Sequence, residues 1–260
     1  MGAPGCDDAP VVDIAMVGAN RRFTLVVPYY ENPRFFAKQI GTWLSYPDDL
    51  RSRMKIIVVD DGSPNYPAER VLAGKRDDGR IRLFRIDIDV RWNWLAARNI
   101  GAYHADEGWI MLTDMDHVLE ENTLNTLVNG AFDVDKIYRF SRREFSGKKI
   151  HPHPNSWFMT RNMYWRVGGY DEALSGHYGT DGEYRRRCAS TAQIRIMRDE
   201  LVRYEYVDDS STTHYKRKQP EDAAAKKMIR ARTSRWKPTV LTFPYHAVDE
   251  WSSTRQTRTE

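Results

Sequence analysis

Two aspartates one residue apart, Asp114 and Asp116, follow the apolar run Trp109–Leu112. Such a pair at a strand end can share a divalent cation and, through it, a diphosphate, because hard cations take oxygen ligands. The cation would neutralise charge developing on a departing nucleotide diphosphate. The spacing alone is cheap, since Asp87 and Asp89 repeat it in the same chain. Asp114 and Asp116 stand apart because a buried strand delivers them to a sheet edge.

A second set places polar groups beyond two further apolar runs: Val26-Val27-Pro28-Tyr29-Tyr30-Glu31 and Val58-Val59-Asp60-Asp61-Gly62-Ser63. Open α/β sheets bind ligands at such strand ends. Asp60 or Asp61 can accept a hydrogen bond from the N3–H of uracil while backbone groups hold the ribose. The plainer reading is a turn, for which Asp-Asp-Gly-Ser is ordinary chemistry. Arg98, in Ala97-Arg98-Asn99-Ile100-Gly101, either contacts phosphate or pairs with an aspartate. Gly101 inside a helix costs ~1 kcal/mol relative to Ala, so close packing or ligand approach keeps it there.

A third set is Gly168-Gly169-Tyr170-Asp171-Glu172 followed by Gly179-Thr180-Asp181. Thr180-Asp181-Gly182-Glu183 matches a capping box, which puts Asp181 in the first turn of a helix, where the dipole favours a charged carboxylate. Near a bound hydroxyl that carboxylate is a general base; without one it is a helix-start residue. Asp171 and Glu172 are the next carboxylates for the same role. His214 can complete an Asp/His metal site through its neutral imidazole, against the plainer reading of an exposed or structural histidine. His151 and His153, either side of a proline, are a rival pair on a loop.

These residues need elements to hold them, and the first half of the chain alternates strand and helix patterns, as a mainly parallel sheet requires. Thr24–Val27 reads as a buried strand stopped by Pro28. A helix follows, capped by Asn32, with Pro33 in its first turn and Phe36, Ile40, Trp43 and Leu44 on its apolar face. Lys55–Val59 and Ile81–Ile88 are further strands. Positions 92, 95, 96, 100 and 103 share a helical face. Gly108–Leu112 is a buried strand, and Asn122 caps a helix with Leu124, Leu127, Val128 and Ala131 on one side. Lys136–Phe140 and Trp157–Thr160 read as strands joined by a basic loop, Ser141–Asn155. After Val207 the pattern fades. The chain divides into a tail (1–20), a catalytic domain (21–215, with the nucleotide-sugar half at about 21–120 and the acceptor half at about 121–215) and a basic C-terminal extension (216–260).

With 260 residues, 41% hydrophobic and 12% aromatic, a large core can form. Mean hydropathy is −0.68, and no apolar run approaches the ~18–20 residues of a membrane span. The start, Met1 to Asp13, lacks the pattern of a signal peptide, and the expected location is cytoplasmic. Two cysteines, Cys6 and Cys188, exclude a disulfide framework, and no Cys or His pairs recur at zinc spacing. Net charge is +4, yet positions 214–237 concentrate Lys216, Arg217, Lys218, Lys226, Lys227, Arg230, Arg232, Arg235 and Lys237. That run is a solvated face or a contact with phosphates, nucleic acid or an acidic membrane surface.

The order of these motifs resembles the family 2 glycosyltransferases and their GT-A relatives, from about Thr24 to His214. Pro28-Tyr29-Tyr30-Glu31 is similar to the family's first strand end, Val59-Asp60-Asp61-Gly62-Ser63 to its nucleotide-binding strand end, and Thr113-Asp114-Met115-Asp116 to its D-x-D. The Gly168–Glu172 and Gly179–Asp181 segment resembles the acceptor side of galactosyltransferase-like relatives, with Asp181 as the catalytic or acceptor-binding carboxylate. Two departures stand out: Thr180 replaces the usual glutamate, and Glu31 stands where asparagine often sits.

The resemblance implies a GT-A, Rossmann-like α/β fold and a metal-dependent, inverting transfer from a nucleotide sugar, expected to be a UDP-sugar. Pro28, Tyr30, Glu31, Asp60, Asp61, Arg98 and Asp114 would bind the donor. Asp114, Asp116 and His214 would hold Mn²⁺ or Mg²⁺, a nitrogen ligand tilting the choice toward Mn²⁺. Asp181 would take the acceptor's proton. A glycan or lipid acceptor is usual. The basic segment also allows nucleic acid, including a hydroxymethylated base in DNA. A non-catalytic sugar-nucleotide or polyanion binder is the rival from another class, and three matching aspartates argue against it. A nucleotidyltransferase would need a Gly-rich phosphate loop near the first strand, and none is there.

Overall fold

The computed structural model describes residues 11–12, 20–73, 79–106, 108–203, 220–232 and 236–248. In chain order the elements are β1 (Val11–Val12), β2 (Phe23–Tyr29), α1 (Pro33–Ser45), α2 (Asp48–Arg51), β3 (Met54–Asp60), α3 (Ala68–Leu72), β4 (Ile81–Ile86), α4 (Trp94–His104) and β5 (Trp109–Leu112). There follow β6 (His117–Leu119), α5 (Glu121–Asn129), β7 (Lys136–Glu144), β8 (Lys149–Ile150), β9 (Trp157–Thr160), α6 (Arg161–Val167), α7 (Asp181–Thr191), β10 (Gln193–Arg203), α8 (Pro220–Ala231) and β11 (Tyr245–Ala247).

The strands form one mixed sheet in the order β1-β10-β7-β9-β5-β2-β3-β4-β11, with β6 beside β10 and β8 beside β7. Its middle, β5-β2-β3-β4, is parallel. Successive side chains of these strands alternate between two cores. Leu25, Val27, Ile56 and Val58 face α1, α3 and α5. Val26, Ile57, Val59 and Leu112 face α4, α6, α7 and α8. Helix α1 seats Phe36, Ile40 and Trp43 in the first core, each such side chain contributing ~1.5–3 kcal/mol by leaving water. Asn32 caps it as expected, its Oδ1 accepting from the Phe35 N–H at 3.3 Å.

The expected α/β architecture is present, with differences at element ends. Pro28 does not stop β2, which runs to Tyr29. The Val26 carbonyl accepts from the Thr113 N–H, so Pro28, two residues on, turns its missing N–H to the side where β5 pairing has already ended at Val26. Strand β4 ends at Ile86 rather than Ile88. Helix α4 begins at Trp94. Asn122 is no cap: α5 starts one residue earlier, at Glu121 after Glu120, and ends before Ala131. The stretch 141–155 is only partly loop, because β7 continues to Glu144 and β8 returns against it. Within the segment read as an extension, α8 packs Ala225 and Ile229 into the second core and β11 joins β4. Among the described residues no helix is long and apolar enough to cross a membrane.

Candidate active site

The C-terminal ends of β2, β3 and β5 lie side by side, and the chemistry-bearing residues gather there. Gly62 makes the turn after β3 at φ +74°, where a Cβ would sit 2.4 Å from the Ile88 carbonyl oxygen. Asp60 is fully buried and consumed by this turn, accepting from the Ser63 and Ala68 N–H groups at 2.8 Å each. Burial pushes its carboxyl up to about 6, against those hydrogen bonds and the Arg85 charge. Glu31, at φ +46°, is also buried; its carboxylate accepts from the Asn65 and Tyr66 N–H groups at 2.8 and 2.9 Å. It braces the loop beyond Gly62, and that use occupies the carboxylate expected to meet the donor. Tyr30 donates to Asp89 at 3.1 Å.

Asp61 differs from both. It is buried, yet its Oδ1 has no hydrogen-bond partner. Burial, with the charges of Asp60 and Asp89, pushes its carboxyl well above the usual range. A buried acceptor left unpaired costs about 1–3 kcal/mol, which a ligand N–H would relieve. Of the two aspartates left open by the sequence, Asp61 is the one with an unpaired oxygen.

The Asp114-Met115-Asp116 turn joins β5 to β6. Gln39 of α1 pins it by donating to the Met115 and His117 carbonyls at 2.8 and 2.7 Å. Met115 drops into the core while each aspartate side chain stays about a third exposed, 32% and 34%. Arg98 of α4 has no exposed surface and pairs with Asp114, stacking also on Trp94 and Tyr170. Pairing with aspartate is therefore the alternative that the structure takes for Arg98, and its burial leaves no face for a direct phosphate contact. Helix α4 lies close over β2 because Gly101 allows it: a Cβ there would sit 2.3 Å from Val26 Cγ1. Packing, not ligand approach, explains that glycine.

His153 Nε2 faces Asp114 Oδ2 at 3.1 Å, and its Nδ1 meets Ser156 Oγ at 3.0 Å. His117 Nε2 receives Arg142 at 3.1 Å, which leaves its proton on Nδ1, directed at Asp116 Oδ1 at 2.6 Å. Burial works to raise both aspartates, but Arg98 and His153 hold Asp114 well below the usual range, and His117 lowers Asp116. Among the described residues Asp116 Oδ2 meets Arg203, at 3.7 Å. Among the described residues no three His, Cys, Asp or Glu side chains are arranged to hold a metal. Two carboxylates at this edge nonetheless suit Mg²⁺ or Mn²⁺ bound chiefly through substrate phosphates. His214 lies outside the described residues.

Asp181 is the first residue of α7, but no capping box forms. Thr180 makes no side-chain cap, and Glu183 turns instead to Arg187 at 2.7 and 2.8 Å. Asp181 Oδ1 accepts from Asn155 Nδ2 at 2.5 Å, and the Asn155 carbonyl accepts from Arg98. One run of contacts thus joins Asp114, Arg98, Asn155 and Asp181. Asp171 and Glu172 are not free to act as a base. Asp171 is buried and accepts from Arg232 and the Thr239 N–H; Glu172 accepts from Asn99, Leu241 and Thr242. Sequence reasoning missed Asn155 and His117, and set His153 apart as a loop residue; His117 could have been found as the neighbour of Asp116, which it meets directly, whereas Asn155 and His153 carry no local signal.

The model of Glycosyl transferase family 2 matches residues 24–187. Among solved structures the chain is similar to S. aureus TarS 1-349 in complex with UDP-GlcNAc, at TM-score 0.63 and 12% identity, covering 80% of this chain and 65% of that one. TarS 1-349 in complex with UDP gives TM-score 0.57 and 13% identity, covering 72% and 62%. The mannosyltransferase PcManGT from Pyrobaculum calidifontis, in complex with GDP-Man and Mn²⁺, gives 0.59 and 16%, covering 86% and 74%. At such identities these likenesses show the fold, and the chain spans less than two thirds of the length of those TarS structures. No curated protein matches the chain. The family match, however, runs from the first core strand into α7 and takes in each of the carboxylates gathered at the sheet edge, and the chain belongs to glycosyl transferase family 2.

Proposed function

We propose that the protein transfers a sugar, with inversion, from a nucleotide-sugar donor to an acceptor hydroxyl of a glycan or lipid, and that the donor is a UDP-sugar. The observation that carries the proposal is the run Asp114–Arg98–Asn155–Asp181, which couples a candidate diphosphate-side carboxylate to a candidate base. Family membership and neighbours holding UDP-GlcNAc and GDP-Man support a nucleotide-sugar donor.

In this reading Asp61 Oδ1 accepts the uracil N3–H. Asp114 and Asp116 would hold a divalent cation, which when bound supplies charge neutralisation on the diphosphate. Arg98, buried against Asp114, holds that carboxylate in place. Asn155 occupies one oxygen of Asp181 and leaves Oδ2 to take the proton of the acceptor hydroxyl. The acceptor oxygen then bonds to the anomeric carbon as its bond to the diphosphate breaks, on the opposite face, with no covalent enzyme intermediate.

The test is a thermal-shift screen of UDP-, GDP- and dTDP-sugars with Mn²⁺, followed by donor hydrolysis. A UDP-sugar should raise the melting temperature most and be hydrolysed. No stabilisation by any nucleotide sugar would overturn the reading, and a preference for GDP would move the base contact away from Asp61.

A further inference from the structure

Behind Asp181 a series of buried polar groups runs back into the second core. Trp157 of β9 and Tyr170 are both buried there. An indole nitrogen donates and cannot accept, so the Trp157 Nε1–H points at the Tyr170 hydroxyl oxygen, 3.2 Å away. The hydroxyl's own proton is thereby left for Asn155 Oδ1, at 3.4 Å. At the far end Asn155 Nδ2 donates to Asp181 Oδ1 at 2.5 Å, and an ionised carboxylate can only accept. A series that starts on a pure donor and ends on a pure acceptor has one direction.

That direction matters because the two ends of an asparagine amide have nearly the same shape. Turned over, Asn155 would set its Oδ1 against the Asp181 carboxylate, acceptor against acceptor. The Tyr170 contact is long for an O–H···O bond, so it supplies a choice of orientation more than strength. Burial raises the Tyr170 phenol further above its ordinary range. The hydroxyl therefore keeps its proton at neutral pH.

Tyr170 itself is held without help from its hydroxyl. Asn99 of α4 accepts from the Tyr170 N–H at 2.9 Å and donates to its carbonyl at 2.8 Å. The ring stacks on Tyr184, with centroids 4.0 Å apart. Phenylalanine would fill the same space, so the hydroxyl calls for an account of its own. Its plainer role is to satisfy the Trp157 N–H, but that takes a lone pair and leaves the proton unused. We infer that Tyr170 is a positioning residue for Asp181, its hydroxyl orienting the Asn155 amide so that one carboxylate oxygen is held and the other is left for the sugar-accepting hydroxyl. This rests on the transfer reading above, in which Asp181 is the base.

The test uses the full chain and Tyr170→Phe, which keeps the stacked ring and should fold, as its melting curve checks. The first arm needs no ligand. It follows the side-chain amide protons of Asn155 in nitrogen–proton correlation spectra, identified by their loss in Asn155→Ala. The pair should be widely split in wild type, and should move in Asp181→Asn and again in Tyr170→Phe. The second arm is hydrolysis of UDP-GlcNAc with Mn²⁺, water standing in for the sugar-accepting hydroxyl. In Tyr170→Phe kcat should fall roughly tenfold to 10²-fold, the scale of a misplaced reacting group, while KM stays unchanged. In the Asn155→Ala background the same substitution should bring no further loss, because it acts through the missing amide. An Asn155 amide pair unmoved by Tyr170→Phe overturns the inference. So does a loss that adds in full to that of Asn155→Ala, which would make Tyr170 a core residue. If the pair moves as expected but Asp181→Asn hydrolyses at the wild-type rate, the choice of base in the transfer reading fails and the orientation of Asn155 stands.

Discussion

Asn155 donates to Asp181 Oδ1 at 2.5 Å, while its own carbonyl accepts from the buried Arg98. A loop residue between β8 and β9 thereby fixes the angle of a carboxylate on α7, 26 residues further along the chain. If Asp181 is the base, its orientation depends on a strand pairing and not on the helix that carries it.

Asp181→Asn should keep folding and donor binding while transfer falls about 10²–10⁴-fold, the usual scale for losing a general base. The stability cost, from a lost charge at a helix start, should be only ~0.3–1 kcal/mol. Asn155→Ala should lower kcat with little change in donor binding. Melting curves and turnover on the same preparations check both. Near wild-type turnover in Asp181→Asn would return Asp181 to a helix-start role.

For the metal, Asp116→Ala should abolish the Mn²⁺-dependent rise in melting temperature produced by UDP. Asp87→Ala should leave it intact, because the Asp87 carboxylate faces His246 at 2.6 Å, on the β11 side. The comparison needs only ligand-linked stability. Identical Mn²⁺ dependence in wild type and Asp116→Ala would remove the assignment.

The base contact predicts that Asp61→Ala weakens UDP binding by about 1–3 kcal/mol, the cost of an unmade buried hydrogen bond. Asp60→Ala should instead damage folding, because it frees the Ser63 and Ala68 N–H groups. Isothermal titration with UDP and with ribose-5-phosphate separates a base contact from a phosphate contact. Equal loss for both ligands would argue against a contact to the base.

Asp60 also carries a pH signature. Its carboxyl is raised from an ordinary 3.8 to about 6 by burial. The folded protein therefore binds more protons than the unfolded chain across that window. Its contribution is full below the unfolded value and is lost as pH rises through about 6. The stability of Asp60→Asn relative to wild type should increase by on the order of 1–3 kcal/mol between pH 4 and 7. Denaturant unfolding at several pH values measures it, and a flat difference would show that the group is not raised.

Much of this protein could be read from local pattern. The apolar runs at β2, β3 and β5 and the helical spacing of Phe36, Ile40 and Trp43 follow from side-chain periodicity, which a linear chain displays openly. The same holds for the placement of Asp60, Asp61, Asp114 and Asp116, because a motif at the end of an apolar run lands at a sheet edge by geometry alone; Asp181 stands at a helix start instead. What periodicity cannot carry is which partner each polar atom meets. Asp60 and Asp61 are neighbours in sequence, yet one is spent on a turn and the other keeps an unpaired oxygen. Arg98 reads equally as a phosphate ligand or an ion-pair partner until β5 sets Asp114 beside it. Thr180-Asp181-Gly182-Glu183 has the spacing of a capping box, but Arg187 and Arg232 claim Glu183 more strongly than the helix start does. His153 and Asn155 enter only through long-range strand pairing, whereas His117 adjoins Asp116 in the chain and meets it directly. Local periodicity decides where the chain is buried and where it turns. Only the tertiary structure decides which charges meet, because a charge pairs with the nearest satisfying partner in space, whatever the distance along the chain.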